Sequence, residues 1–143
     1  MKISAIIAGK KVETISAEAS IQELVDSLTQ HHVGALVVSQ DGKVIDGIVS
    51  ERDVVRAMPG RLLQLENMCV KDIMTSEVHT CTAEATVSEL MAMMTQLRIR
   101  HVPVVDADGN LLSIVSIGDI VKKHVEDLDS ERKALRDYVA SGN

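Results

Sequence analysis

The sequence predicts a mixed α/β (α+β) fold in which one β-α-β-β-α unit occurs twice and a C-terminal helix follows. Two observations support this prediction. Residues 12–21 align with residues 78–87, so the second copy starts 66 residues after the first. The pattern Ser-x-x-Asp also returns in phase, at Ser50 and Asp53 and again at Ser116 and Asp119. Because packing alone would preserve only apolar periodicity, the repeated polar motif indicates a duplicated site.

Each copy shows the same order of signals: a strand, a helix capped by Ser20 or Thr86, a valine-rich strand, an Asp-Gly turn, a return strand and a second helix. In the first copy the strands are expected at 12–15, 35–39 and 44–50, and the second helix at 50–58. In the second copy the strands are expected at 78–81, 102–106 and 111–116, and the second helix at 116–124.

The repeat predicts four segments: residues 1–58 for the first repeat, 59–69 for a linker, 70–124 for the second repeat and 125–143 for a helical tail. Towards the tail, Val121, Leu128 and Leu135 lie seven residues apart and form a short apolar stripe. Such a stripe fits either a helix that packs on its own domain or one that pairs with another subunit.

Composition limits the possible functions. The chain has 143 residues, enough for one compact domain or two small ones that share a core, and its net charge is −6. An acidic chain disfavours general binding of nucleic acid, and no apolar run approaches the roughly 20 residues that span a bilayer. The N-terminus makes a poor signal peptide, and Cys69 and Cys81 are expected to be reduced thiols. We therefore expect a cytoplasmic protein that contacts neither membrane nor nucleic acid and needs no metal.

The helix starts carry the chemistry of the duplicated motif. Ser50 and Ser116 each end a strand and begin a helix, where backbone N–H groups and the helix dipole favour an anion. Asp53 and Asp119 lie one turn further on, where a carboxylate can accept both hydroxyls of a ribose. The alternative is that each serine only caps its helix and each aspartate only complements the dipole. The chain has one aromatic residue, so any bound base must lie between aliphatic side chains.

The doubled unit, with Gly47-Ile48-Val49-Ser50-Glu51-Arg52-Asp53 in the first copy, resembles a cystathionine-β-synthase (CBS) domain pair, or Bateman module, and most resembles the small stand-alone bacterial proteins of that kind. The resemblance covers residues from about 3 to about 124. It implies pseudo-two-fold symmetry, two clefts between the repeats and an adenosine ligand (AMP, ADP, ATP or NAD, with S-adenosylmethionine as an alternative). It also implies a homodimer that regulates a further, unidentified protein.

The resemblance further implies which residues contact the ligand. Thr14 and Thr80 would lie near the base, and the residues that open the middle strands would line the ligand. These are Gly34 and Ala35 in the first copy and Arg100 and His101 in the second. The alternatives are that Arg100 is a surface charge and that His101 is a partly buried histidine with its hydrogen bonds satisfied.

The two copies differ, and the difference predicts unequal clefts. The cleft with Asp53 has the complete Gly-x-x-Ser-x-x-Asp, with Arg52 and Arg56 on its helix. If it faces Arg100 and His101, it is the stronger phosphate site. In the other copy Ser113 replaces the glycine, which predicts weaker, differently selective or absent binding.

The sequence bears on three classes of function. A regulatory module that binds an adenosine nucleotide is favoured because both Ser-x-x-Asp motifs are intact. A scaffold that mainly dimerises, with degenerate ligand sites, is the alternative. An enzyme is disfavoured because the sequence shows no nucleophile–base arrangement, no Walker loop and no metal cluster.

Overall fold

The computed structural model describes residues 1–142 and confirms the tandem β-α-β-β-α prediction. The first copy comprises α1 (Ile3–Ile7), β1 (Thr14–Ile15), α2 (Ile21–His31), β2 (Ala35–Val38), β3 (Gly47–Ser50) and α3 (Glu51–Ala57). The second copy comprises α4 (Val70–Ile73), β4 (Cys81–Thr82), α5 (Val87–Leu97), β5 (His101–Val105), β6 (Leu111–Ser116) and α6 (Ile117–Ser141). A 3₁₀ turn at Leu65–Asn67 lies between them.

Each copy forms its own three-stranded sheet, in the orders β1-β2-β3 and β4-β5-β6. The first pair of strands is parallel and the second antiparallel in both sheets. The antiparallel register places Ala35 opposite Ser50 and, equivalently, His101 opposite Ser116. The residue that opens each middle strand therefore lies beside the serine of its own copy's motif.

The long helix of each copy begins at the predicted cap. The Glu23 backbone N–H donates to Ser20 Oγ at 3.0 Å, and the Glu89 N–H donates to Thr86 Oγ1 at 3.1 Å. In α5 the Glu89 carboxylate also accepts from the Thr86 N–H at 3.1 Å, which completes a capping box. Within residues 1–142 the Glu23 side chain makes no such return bond, so α2 has only half of the predicted box.

The short helices α1 and α4 each pack on the core of the other copy, an arrangement that the sequence did not indicate. α1 packs on the second copy, where the Ile3 N–H donates to the Ala85 carbonyl at 2.8 Å, and α4 packs on the first, where the Val70 N–H donates to the Ala19 carbonyl at 2.9 Å. Ile3 and Val70 are both fully buried, and burial of such a side chain contributes about 1.5–3 kcal/mol. Each repeat therefore completes its core with a segment that precedes the other repeat.

The second helix of the second copy does not end near residue 124. α6 is one helix of 25 residues, and its apolar stripe stays exposed, with exposed fractions of 56% at Val121, 51% at Leu128 and 63% at Leu135. None of the helices within residues 1–142 combines the length and apolar character that crossing a bilayer requires.

Candidate functional site

Both Ser-x-x-Asp motifs form capping boxes. Asp53 Oδ2 accepts from the Ser50 backbone N–H at 2.8 Å and from Ser50 Oγ at 3.2 Å. In the second copy Asp119 Oδ2 accepts from the Ser116 N–H at 2.8 Å, and the Asp119 N–H donates to Ser116 Oγ at 3.1 Å. Each serine–aspartate pair therefore does cap its helix, as the alternative interpretation of the motif expects. The same hydrogen bonds fix the orientation of each carboxylate. It also leaves Asp53 Oδ1 without a hydrogen-bond partner among the described residues.

The first cleft brings the Asp53 motif to the Arg100–His101 pair of the other copy. Ser50, Asp53, Arg100 and His101 all line this cleft, whose volume is about 190 Å³. Its charged lining comprises four arginines and three acids, namely Arg52, Arg56, Arg98, Arg100, Glu51, Asp53 and Glu77. Since arginine forms paired hydrogen bonds to phosphate oxygens, this cleft is chemically suited to a phosphorylated ligand.

The same cleft also has an apolar wall. It is formed by the aliphatic side chains of Ala35, Ile48, Val78 and Ile99. These residues come from both copies, as expected for a cleft between the repeats. A flat base can therefore lie against aliphatic surface while a ribose and phosphate lie against the polar residues.

The second cleft contains Ser116 and Asp119 together with Gly34 and Ala35, in a volume of about 400 Å³. This larger cleft has a lysine in its lining that contacts the aspartate of the motif. Lys10 Nζ donates to Asp119 Oδ2 at 2.5 Å and to the Ile114 carbonyl oxygen at 2.5 Å. Burial acts to raise the pKa of Asp119, but the Lys10 ammonium and the Ser116 N–H outweigh it and lower that pKa.

His101 lies between the two clefts and lines both. Burial lowers the pKa of its imidazole below 6.5, and the carboxylates of Asp119 and Glu51 oppose this shift only in part. Gly34 makes room for this arrangement, because a Cβ there would lie 3.5 Å from His101 Cε1 and 3.3 Å from Glu51 Oε1. Burial therefore favours the neutral form of His101, which adjoins acidic groups from both copies.

Two of the expected ligand residues lie away from the cleft walls. Thr14 and Thr80 are half-buried but line neither cleft, and Thr14 pairs with Val37 in the sheet. Their preceding neighbours, Glu13 and His79, line the clefts instead.

Sequence reasoning also missed several lining residues. Arg98, which ends α5 in the left-handed conformation with φ of 53°, lines the first cleft. His32 ends α2 in the same conformation and lines the second cleft. Comparison of the two copies could have indicated Lys10 as a lining residue. Lys10-Lys11 precedes the first strand, whereas the second copy has Ser76-Glu77 at the same place.

The glycine difference between the copies is explained by packing. A Cβ on Gly47 would lie 2.8 Å from the Thr75 carbonyl oxygen, because Thr75 and Ile48 exchange two backbone hydrogen bonds of 2.9 Å. The equivalent Ser113 is buried, and its hydroxyl has no hydrogen-bond partner in the part of the chain described. Neither residue lines a cleft.

Comparison with known proteins identifies the family. The model of the CBS domain matches residues 3–60 and 70–126, and the chain therefore belongs to the CBS-domain family. A mitochondrial CBS domain-containing protein of Arabidopsis thaliana is 37% identical over 131 residues, which cover 89% of this chain and 63% of that protein. The chain thus spans less than two thirds of the length of this relative.

Solved structures show the same fold. The crystal structure of a CBS-domain protein of Agrobacterium tumefaciens superimposes with a TM-score of 0.81 at 38% identity, covering 87% of this chain and 99% of that one. A CBS domain protein of Pyrobaculum aerophilum, solved in complex with AMP, gives a TM-score of 0.71 at 31% identity and covers 83% of this chain and 89% of that one. AMP is therefore a ligand of at least one relative.

Proposed function

We propose that this chain is a regulatory module that binds an adenosine nucleotide in the first cleft and acts through a partner protein. The observation that carries the proposal is the meeting of Asp53, Arg100 and His101 in one cleft lined by both repeats. The AMP-bound relative supports the ligand class. We take AMP as the first probe and ADP, ATP, NAD and S-adenosylmethionine as comparisons.

In the proposed complex each part of the ligand has a chemically matched surface. Asp53 Oδ1 accepts hydrogen bonds from the ribose hydroxyls, because Oδ2 already holds the Ser50 N–H. Arg52, Arg56 and Arg100 offer guanidinium groups to the phosphate. The aliphatic wall covers the base. These roles are those of binding and recognition, so we propose a binding module and not an enzyme.

A thermal-unfolding titration tests the proposal. A ligand at about 100 times its dissociation constant stabilises the fold by about 2.7 kcal/mol. We expect AMP to raise the melting temperature by several degrees and adenosine, which lacks the phosphate, to raise it much less. If none of the five adenosine ligands changes the melting temperature, the chain is better described as a scaffold with degenerate sites.

We also propose that the chain forms a homodimer to which the exposed stripe of α6 contributes. Val121, Leu128 and Leu135 are each more than half exposed along one face of this helix, which a soluble monomer would not favour. The proposed partner on this stripe is a second copy. Deletion of residues 125–143 followed by mass measurement in solution tests this point: a dimer that persists would assign the main interface to the repeats.

We also propose that the chain acts in the cytoplasm. Cys69 and Cys81 are both free thiols and half-buried. Reduced thiols in a small domain are typical of the cytoplasm, which is where we propose that the chain acts.

A further inference from the structure

The second cleft contains a contact that has no counterpart in the first. Lys10 Nζ lies 2.5 Å from both Asp119 Oδ2 and the Ile114 carbonyl oxygen, and all three residues line this cleft. The ion pair is partly buried, with 29% of the Lys10 side chain and 31% of the Asp119 side chain exposed. The carboxylate that corresponds to Asp53 therefore already has a cationic partner supplied by the chain.

In the first cleft the corresponding carbonyl and carboxylate have other hydrogen-bond partners. The Ile48 carbonyl, 66 residues before that of Ile114, accepts the Thr75 backbone N–H at 2.9 Å. Counted back from the strand, Ser76 occupies the position that Lys10 occupies in the first copy. The described residues supply Asp53 with no lysine partner. Only one of the two related aspartates thus receives an ammonium group.

The path of the chain explains how Lys10 reaches Asp119. Ile3 and Val70 make equivalent hydrogen bonds to Ala85 and Ala19, so the two short helices are anchored alike. The stretch from Ile3 to Val12 is one residue longer than the stretch from Val70 to Val78. The longer stretch turns at Gly9, with φ of +72°, immediately before Lys10.

We propose that Lys10 acts as an internal substitute for ligand in the second cleft, so that each chain binds one adenosine nucleotide, at the Asp53 cleft. The inference rests on the proposed function for its choice of probe. The Lys10 ammonium bonds Asp119 Oδ2, the oxygen that also accepts the Ser116 N–H, and so pairs the carboxylate whose other oxygen a ribose would use. It also places the lysine side chain on the lining of the cleft. If the second cleft is free of Lys10 for a tenth of the time, its apparent affinity for AMP falls about tenfold.

The test is the stoichiometry of AMP binding, measured by isothermal titration calorimetry on the full chain. The wild type is expected to bind about one AMP per chain. Lys10→Ser, which installs the residue found at position 76, is expected to bind about two, with the second site at least about tenfold stronger than in the wild type. Adding Asp119→Asn to Lys10→Ser is expected to remove that second site.

Lys2→Ser is the matched control. Lys2 lies in the same N-terminal stretch and pairs with Glu84, but it lies outside both clefts, and its side chain is 60% exposed. Its replacement should leave one AMP per chain. Circular dichroism and the melting temperature establish that all variants are folded.

The outcomes separate this inference from the proposed function. Two AMP per wild-type chain, or one AMP per chain in both the wild type and Lys10→Ser, overturns the role of Lys10 and leaves the proposed function standing. A wild type that binds neither AMP nor any of the other four adenosine ligands overturns the proposed function. In that case Lys10→Ser still decides the inference: a new site that needs Asp119 supports it, and the absence of any site overturns it.

Discussion

The first cleft is lined by Asp53 and four arginines, whereas in the second cleft Lys10 contacts Asp119. Both clefts begin from the same local structure, a serine–aspartate capping box at the end of a strand. Local sequence therefore builds the carboxylate equally in both copies, and long-range contacts decide what it faces. Duplication of the motif has thus produced two carboxylates with different neighbours, and not two equivalent sites.

The largest expected effect comes from exchanging each aspartate for asparagine. Asparagine keeps an oxygen that can accept the serine N–H, so the helix cap is retained. Asp53→Asn should weaken AMP binding about 10- to 100-fold, because hydrogen bonds to a charged group contribute about 1.5–3 kcal/mol. Asp119→Asn should change it by less than about twofold. Calorimetric titration measures both, and equal losses in the two variants would contradict the inequality of the clefts.

Gly47 and the equivalent Ser113 allow the two copies to be compared in their effect on the free energy of unfolding. Gly47→Ala should lower the free energy of unfolding by about 1–3 kcal/mol, because the new Cβ would lie 2.8 Å from the Thr75 carbonyl oxygen. Ser113→Ala should be neutral or stabilising by up to about 1 kcal/mol, since it removes a buried hydroxyl that has no partner among the described residues. Urea unfolding of both variants measures the difference, and a fully tolerated Gly47→Ala would contradict the packing explanation.

The features that were predicted from the sequence are local ones. Ser20 and Thr86 mark the starts of two helices. They could be recognised in the sequence because a cap bond joins residues only three positions apart. The exchange of α1 and α4 was not visible, because a short apolar segment such as Ile3–Ile7 does not indicate which core it completes. The Lys10–Asp119 contact joins residues 109 positions apart, so it follows from the path of the chain.

One feature of the site that joins distant residues was also expected from the sequence. The expected meeting of Asp53 with Arg100 and His101 depended only on the pseudo-symmetry of the two repeats, and the structure brings these residues into one cleft. Thr14 and Thr80 line neither cleft, whereas the residues directly before them do. For Thr14, which lies in β1, this follows from the alternation of side chains along a strand, since one position moves a side chain to the other face. Their role as ligand contacts therefore has less support than that of Asp53.

A smaller effect concerns His101, which adjoins both clefts. Burial keeps its pKa below 6.5 in the free protein, and a phosphate beside it would favour the imidazolium form and raise that pKa. Binding of AMP should then take up a proton, so affinity should increase as the pH falls from 7.5 to 6.0. Groups around His101 with an electrostatic influence on its pKa are Asp119, Glu51, Lys10 and Arg100.

His101→Asn separates this effect from titration of the phosphate itself. The ratio of wild-type to variant affinity should grow about threefold over that pH range, since one unit of pKa shift corresponds to a factor of ten. Calorimetry in matched buffers measures the ratio, and buffers of different ionisation enthalpy report the proton uptake. A ratio that is independent of pH would place the phosphate away from His101.

The smallest effect tests the ion pair of the second cleft without any ligand. Lys10 helps to hold the pKa of Asp119 below 3.8. The ion pair therefore contributes to the free energy of unfolding above about pH 4, and this contribution is lost as the pH falls through the lowered pKa. Because the pair is partly exposed, we expect Lys10→Ser to cost only about 0.5 kcal/mol at pH 7. Urea unfolding at pH 7, 5 and 3 should show this cost constant between the first two and reduced at the third. A cost that stays the same at pH 3 would mean that Lys10 stabilises the fold through packing of its side chain and not through the charge of Asp119.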